Sequence, residues 1–325
     1  MKPDVRRERA SMRRGFLVDG GRKEQTTTKE TSAPSTARGV DAADEDEEGR
    51  RRRQGRGKGR MQPETVDFDV DFVWFDDDGM TTKENVLVLL HGDLDCPENF
   101  VRFGKALALP KTAVLALGAP LDASGRRAVR RGERARARRW FTSAEEGTGE
   151  DVRQRMVTEA SGMVRRGLMR MRDERGWSLD RVHVYGFSDG GTVALDLASQ
   201  MTGKDRLGSC AVTCASLLPY GVGVGSERYG PLASAPTPVI FTASAGDAVV
   251  PLRDVERTAE LLVKRNIGCG GELHVIPGKS GHGMVSSAEE TRVLMTFWSK
   301  TLTMGRARAE DYGDDVVELT TDTGE

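Results

Sequence analysis

Ser188 stands in the segment VYGFSDGG (184–191), where Gly186, Ser188 and Gly190 form a G-x-S-x-G pattern. That spacing suits a serine held at the apex of a sharp strand-to-helix turn. The two glycines remove Cβ atoms that would collide across the turn, and the helix N-terminus offers a backbone N–H to a negatively charged oxygen. The chemistry it suggests is attack of a hydroxyl on a carbonyl carbon. In a chain with 38 glycines the bare pattern arises readily by chance, so a base and an acid must be found in fitting places.

The chain has four histidines. His183 and His274 fall inside strand-like runs (VHVY and LHVIP) and read as packing residues. His91 ends the run NVLVLL. His282 lies in KSGHGM, a glycine-flanked loop between a late strand and the last helix, where a general base belongs. The imidazole needs an orienting carboxylate. Asp247, in PVIFTASAGDAVVP, falls just past a strand in a loop of small residues, whereas its rival Asp254 falls inside the next helix. The order Ser188, Asp247, His282 is the order of an α/β-hydrolase triad. The N–H of Asp189 would be one oxyanion donor. The second would come from HGDLD (91–95), with the N–H of Asp93 as the candidate and Leu94 as its backup. Leu94, Trp140 and Phe141 are candidates to line a substrate pocket; for Trp140 and Phe141 the favoured alternative is core packing with partial exposure to that pocket. Such chemistry needs no metal and no cofactor.

These residues require a scaffold. NVLVLL, Thr112–Leu117, RVHVYGF, Cys210–Leu218, Pro238–Ala243 and Glu272–Ile276 read as strands, and Val66–Phe75 alternates like a half-buried strand. Helical periodicity follows Pro97 as far as Leu109, runs through 150–176 to a stop at Gly176, and spans Gly190–Met201, Pro251–Lys264 and Ala288–Leu302. Alternation of strand and helix predicts an α/β fold with a mostly parallel sheet covered on both faces.

Overall the chain is 37% hydrophobic and 30% charged, which looks poor for a core, but the charge is concentrated at the ends. Residues 1–60 carry 17 Lys/Arg and 11 Asp/Glu, and residues 305–325 carry two Arg and seven acids. Neither stretch can bury enough apolar surface to offset its ordering entropy. The expected organisation is a disordered charged extension over 1–62, a catalytic domain over 63–304 and an acidic disordered tail over 305–325. Within the domain, 119–148 reads as an Arg-rich loop insertion. Arg126–Arg139 holds eight Arg and one Glu and could contact an anionic surface.

The formal net charge of −1 argues against a polycation that seeks nucleic acid. No apolar run is long enough to cross a bilayer. The cysteines show no framework or C-x-x-C spacing, which suits a reducing, cytoplasmic setting. An organellar address is the alternative, although five acids within residues 1–40 weigh against a transit peptide.

The segments LLHGDLDCPENF, RRWF, GFSDGGTVALDLA, GDAVVP and GHG resemble the phospholipase/carboxylesterase family, which includes acyl-protein thioesterases and lysophospholipases. The resemblance spans roughly residues 85–300 and implies the α/β-hydrolase fold. It also implies a serine hydrolase that cleaves carboxylic esters or thioesters of small molecules, lipids or acylated proteins. Asp189 stands where the family carries Gln, and HGDLD replaces HGLGD. A hydrolase-fold binding protein without catalysis is the alternative reading.

Overall fold

Side chains that alternate along buried strands build two apolar layers, one on each face of a central sheet. The computed structural model describes residues 60–76, 83–128, 137–143, 146–219, 236–264 and 272–302, all within the unit Lys58–Arg306. In chain order its elements are β1 (Phe72–Phe75), β2 (Asn85–Leu90), α1 (Pro97–Leu107), β3 (Thr112–Leu117), β4 (Leu121–Asp122) and β5 (Arg138–Arg139). Next come α2 (Glu150–Arg175), β6 (Val182–Phe187), α3 (Asp189–Gln200), β7 (Ser209–Thr213), β8 (Val239–Ala243), α4 (Leu252–Lys264), β9 (Glu272–Val275) and α5 (Ala288–Thr301). The extensions 1–59 and 303–325, and Arg130, Arg131, Arg134 and Arg136 of the Arg-rich stretch, lie outside the described residues.

Among the described residues seven strands form one sheet in the order β1-β3-β2-β6-β7-β8-β9, parallel except for β1. On β2, Val86, Val88 and Leu90 face the layer beneath α2, α3 and α4, while Leu87 and Leu89 face the layer beneath α1 and α5. Both faces are covered, so β2, β3, β6, β7 and β8 are buried along their whole length. The strand-helix alternation read from the sequence therefore corresponds to the observed architecture.

Two strands are shorter than their sequence patterns suggest. Val66–Phe75 alternates throughout, yet only Phe72–Phe75 pairs with β3. The buried carboxylate of Asp67 accepts the N–H of Glu64 at 2.6 Å and the guanidinium of Arg175 at 2.9 Å, which holds this stretch in a turn. In Cys210–Leu218 the strand stops at Thr213 because Cys214 takes φ +49°. Among the described residues no helix is long and apolar enough to cross a membrane.

Register places the candidate site. Leu90 pairs with Gly186, Phe187 with Thr213, Thr213 with Thr242 and Ala243 with Val275. The C-terminal ends of β2, β6, β8 and β9 thus lie along one edge of the sheet. The loops leaving that edge carry His91–Asp95, Ser188, Asp247 and His282, the edge where open α/β sheets bind ligands.

Candidate active site

Ser188 sits between β6 and α3 with φ +54° and ψ −122°, outside the ordinary helical and extended regions. Such a conformation persists only where the surroundings enforce it. Its N–H donates to the carbonyl of Thr213 at 3.1 Å, and its own carbonyl accepts the N–H of Thr192 at 3.0 Å. The flanking glycines are sterically required. A Cβ on Gly186 would lie 2.5 Å from the Gly190 oxygen, and one on Gly190 would lie 2.3 Å from the Leu90 oxygen.

The structure brings the three sequence-predicted residues together. His282 Nε2 lies 2.8 Å from Ser188 Oγ, and His282 Nδ1 lies 2.8 Å from Asp247 Oδ2. The second Asp247 oxygen accepts the N–H groups of Val249 and Val250 at 2.8 and 2.9 Å. Burial pushes the Asp247 carboxyl up. The hydrogen bond and charge of His282, together with the Val250 and Val249 N–H groups, outweigh it and hold the carboxyl below its ordinary range. The Phe187 ring lies 5.1 Å from the imidazole and packs against it.

The loop that carries His282 is tied down by a buried ion pair that sequence reading did not identify. Lys279 and Glu290 have side chains 3% and 0% exposed. Glu290 also accepts from Thr242 Oγ1 at 2.8 Å and from the Ser286 N–H at 3.3 Å. Ser287 caps α5 by accepting the Glu290 N–H, so the S-x-x-E signature of a capping box was the available signal.

Cys214 Sγ, Asp247 and His282 place potential metal-ligating atoms within 4.8 Å of one another. Their donor chemistry does not suit a resident cation. Asp247 and His282 share a hydrogen at 2.8 Å, and burial pushes the Cys214 thiol up to about 11, so it keeps its proton.

Asp189 opens α3, which puts its N–H at a helix N-terminus beside Ser188. Asp93 lies in the loop after β2. There His91 is buried and burial pushes its pKa down, so the ring is neutral. Nδ1 lies 2.7 Å from the Gly92 oxygen, and Nε2 accepts the Ala119 N–H at 3.1 Å, which leaves the hydrogen on Nδ1. The Gly92 carbonyl is thereby turned toward the imidazole, and the trans peptide directs the Asp93 N–H the opposite way. Gly92 packs so closely that a Cβ there would lie 2.8 Å from the Phe187 ring and 3.7 Å from Ser188 Cβ. Leu94, in the same loop, takes φ +56° and is 38% exposed.

Two expectations are corrected. Trp140 and Phe141 do not face an open pocket. Each is 1% exposed within the core, and the Trp140 indole donates to the His91 carbonyl at 2.8 Å. They support the loop from behind because large aromatic surfaces gain most from full burial. Arg138 and Arg139 do not belong to a solvated cationic surface. Both are buried, Arg138 pairing with Asp71 and Arg139 with Asp93 and Glu146. Arg126 and Arg127 remain exposed.

Known proteins share this arrangement of elements. A family model described as Phospholipase/Carboxylesterase matches residues 71–300. The chain is 25% identical over 220 residues to an uncharacterised hydrolase of Mycosarcoma maydis, covering 66% of this chain and 76% of that one. The crystal structure of esterase PE8 is similar with a TM-score of 0.58 at 18% identity, covering 72% of this chain and 99% of that chain. Acyl-protein thioesterase 2 of Zea mays is similar with a TM-score of 0.52 at 17% identity, covering 72% of this chain and all (100%) of that one. With the family model spanning most of the described sheet and its helices, the chain belongs to the phospholipase/carboxylesterase family of hydrolases, on the α/β-hydrolase fold.

Proposed function

We propose that the domain 63–304 hydrolyses carboxylic esters or thioesters through Ser188, His282 and Asp247 and a covalent acyl-enzyme. The observation that carries this reading is the unbroken hydrogen-bond chain from Ser188 Oγ through both nitrogens of His282 to Asp247, each link 2.8 Å.

His282 Nε2 takes the hydroxyl proton as Ser188 Oγ bonds to the acyl carbon, and the carbonyl oxygen becomes an oxyanion. Asp247 holds the proton on Nδ1, so that Nε2 is the free base, and it stabilises the imidazolium that forms. The N–H groups of Asp189 and Asp93 receive the oxyanion, with Leu94 N–H as the backup donor. A donor of this kind contributes roughly 10²–10³ in kcat. Collapse of the intermediate breaks the bond to the leaving alkoxide or thiolate, which takes the proton from His282. Water then attacks the acyl-enzyme, gives a proton to His282 and releases the acid through a second oxyanion, and Ser188 regains its proton. Asp93 is compatible with this role because its carboxylate faces Arg139 rather than standing as a lone negative charge. Exposed Leu94 is the apolar contact offered to an acyl group.

A series of p-nitrophenyl esters and acyl thioesters of increasing chain length tests the reading. Turnover by the wild type should fall by about 10³-fold or more in Ser188→Ala. Folded wild-type protein without turnover in either series would favour a hydrolase-fold binding protein.

A further inference from the structure

Three successive residues, Arg138, Arg139 and Trp140, grip three alternate residues of the loop after β2. The Trp140 indole donates to the His91 carbonyl at 2.8 Å. The Arg139 guanidinium donates to both oxygens of Asp93, at 2.8 Å through Nε and 3.1 Å through Nη2. The Arg138 N–H donates to the Asp95 carbonyl at 2.9 Å. Segments 91–95 and 138–140 therefore run antiparallel, with one tie at each of His91, Asp93 and Asp95.

The middle tie differs from the outer two. It is a bidentate pair between charged groups, and a bidentate fork fixes the plane of a carboxylate as well as its position. The Arg139 side chain is 6% exposed and that of Asp93 is 14% exposed, so water screens the pair weakly. Arg139 is itself anchored from the far side by Glu146. The loop needs such anchoring because Leu94, the next residue, holds φ +56°, a conformation that costs free energy for a residue with a side chain. Only two side-chain torsions separate the Asp93 carboxylate from its own N–H, so fixing one restricts the other.

We propose that Arg139 is a positioning residue for the hydrolytic reaction: through its paired hydrogen bonds to Asp93 it holds the Asp93 N–H where the oxyanion forms, and it neutralises a carboxylate that would otherwise oppose that charge. The inference rests on the proposed roles of Ser188 and the Asp93 N–H. It predicts an order of effects that depends on charge. Removing Arg139 takes the bidentate cation from a largely buried Asp93 carboxylate beside a developing anion. Removing both charges leaves only the loss of positioning.

The test measures kcat, KM and the affinity of a trifluoromethyl ketone, whose serine adduct carries the oxyanion, on a p-nitrophenyl ester. Arg139→Gln should lower kcat about 10- to 100-fold and weaken the ketone by the same factor, with KM changed by less than about threefold. Arg139→Lys, which keeps the charge and loses the fork, should fall between it and the wild type. Asp93→Asn/Arg139→Gln should recover several-fold over Arg139→Gln alone, a non-additivity expected of residues in contact. Wild-type kcat and ketone affinity in Arg139→Gln, or a kcat loss that the ketone does not mirror, would overturn the proposal. If Arg139→Gln does not fold, Arg139→Lys decides: a matched loss in kcat and ketone affinity supports positioning, and wild-type values in both overturn it. Ser188→Ala separates this inference from the reading beneath it. Turnover that survives in Ser188→Ala overturns both, whereas a silent Ser188→Ala beside indifferent Arg139 variants overturns the positioning role alone.

Discussion

Asp247 and His282 are joined by a 2.8 Å hydrogen bond from Nδ1 to Oδ2, while the other carboxylate oxygen is held by two backbone N–H groups. The carboxylate is fixed before it meets the imidazole, and the imidazole is fixed in one tautomer before it meets Ser188. Asp247→Asn keeps the shape and loses the charge, so kcat should fall about 10³- to 10⁴-fold while the fold persists. The carboxyl is held below its ordinary value of 3.8. Its contribution to stability is therefore complete above 3.8 and is lost as pH falls through the lower, folded value. The difference in melting temperature between wild type and Asp247→Asn should shrink as pH falls below about 4, which calorimetry across pH would measure.

The turn that presents Ser188 allows no side chain at its base. A Cβ on Gly190 would lie 2.3 Å from the Leu90 oxygen and 2.4 Å from the His91 oxygen, both backbone atoms at the end of β2. Gly190→Ala should cost about 3 kcal/mol or more in urea unfolding, at the upper end of overpacking effects. A cost below about 1 kcal/mol would mean that the turn relaxes more freely than its contacts suggest.

The Lys279–Glu290 pair joins the His282 loop to α5 with both side chains buried. Removing one partner strands a charge, so Lys279→Met or Glu290→Gln alone should each cost about 3–5 kcal/mol. The joint variant should be more stable than either single change, because the stranded charge is gone. Denaturant titration of the four proteins checks this, and strict additivity would contradict it.

His183 should make stability pH-dependent on the acid side of neutrality. It is buried between Ser209 Oγ at 2.8 Å and Asn85 Oδ1 at 3.3 Å. Burial lowers its pKa from 6.5 to about 4, against a small opposing effect of Asp180. Below 6.5 the unfolded chain binds a proton that the folded protein refuses, so stability should fall with pH between 6.5 and about 4. His91, pushed down by burial as well, adds to the same slope. Unfolding free energies at pH 7 and pH 5 should differ less in His183→Gln than in the wild type.

The candidate triad was legible in the sequence where the proposed chemistry demands local features. Ser188 needs glycines at fixed offsets, and Asp247 and His282 each need a loop of small residues after a strand. All three signals lie within a few residues of the group they mark. Arg139 and Asp93 are 46 residues apart, and no periodicity links them. An arginine-rich run reads as solvated surface until the fold places Asp71, Asp93 and Glu146 against two of its members. Trp140 and Phe141 belong to the core, as favoured, but without the expected partial exposure to a pocket, since an aromatic pair beside a loop reads alike whether it lines a pocket or backs one. The strand pattern over Val66–Phe75 holds only for Phe72–Phe75, because Asp67 closes a turn with Arg175, 108 residues away.

Mass spectrometry after treatment with a fluorophosphonate tests the central claim most directly, because stable labelling requires a serine activated by its own base. The account predicts one adduct, mapped to the peptide carrying Ser188, absent from Ser188→Ala and formed far more slowly in His282→Ala. Undiminished labelling of Ser188→Ala, or no labelling of folded wild-type protein, would contradict it.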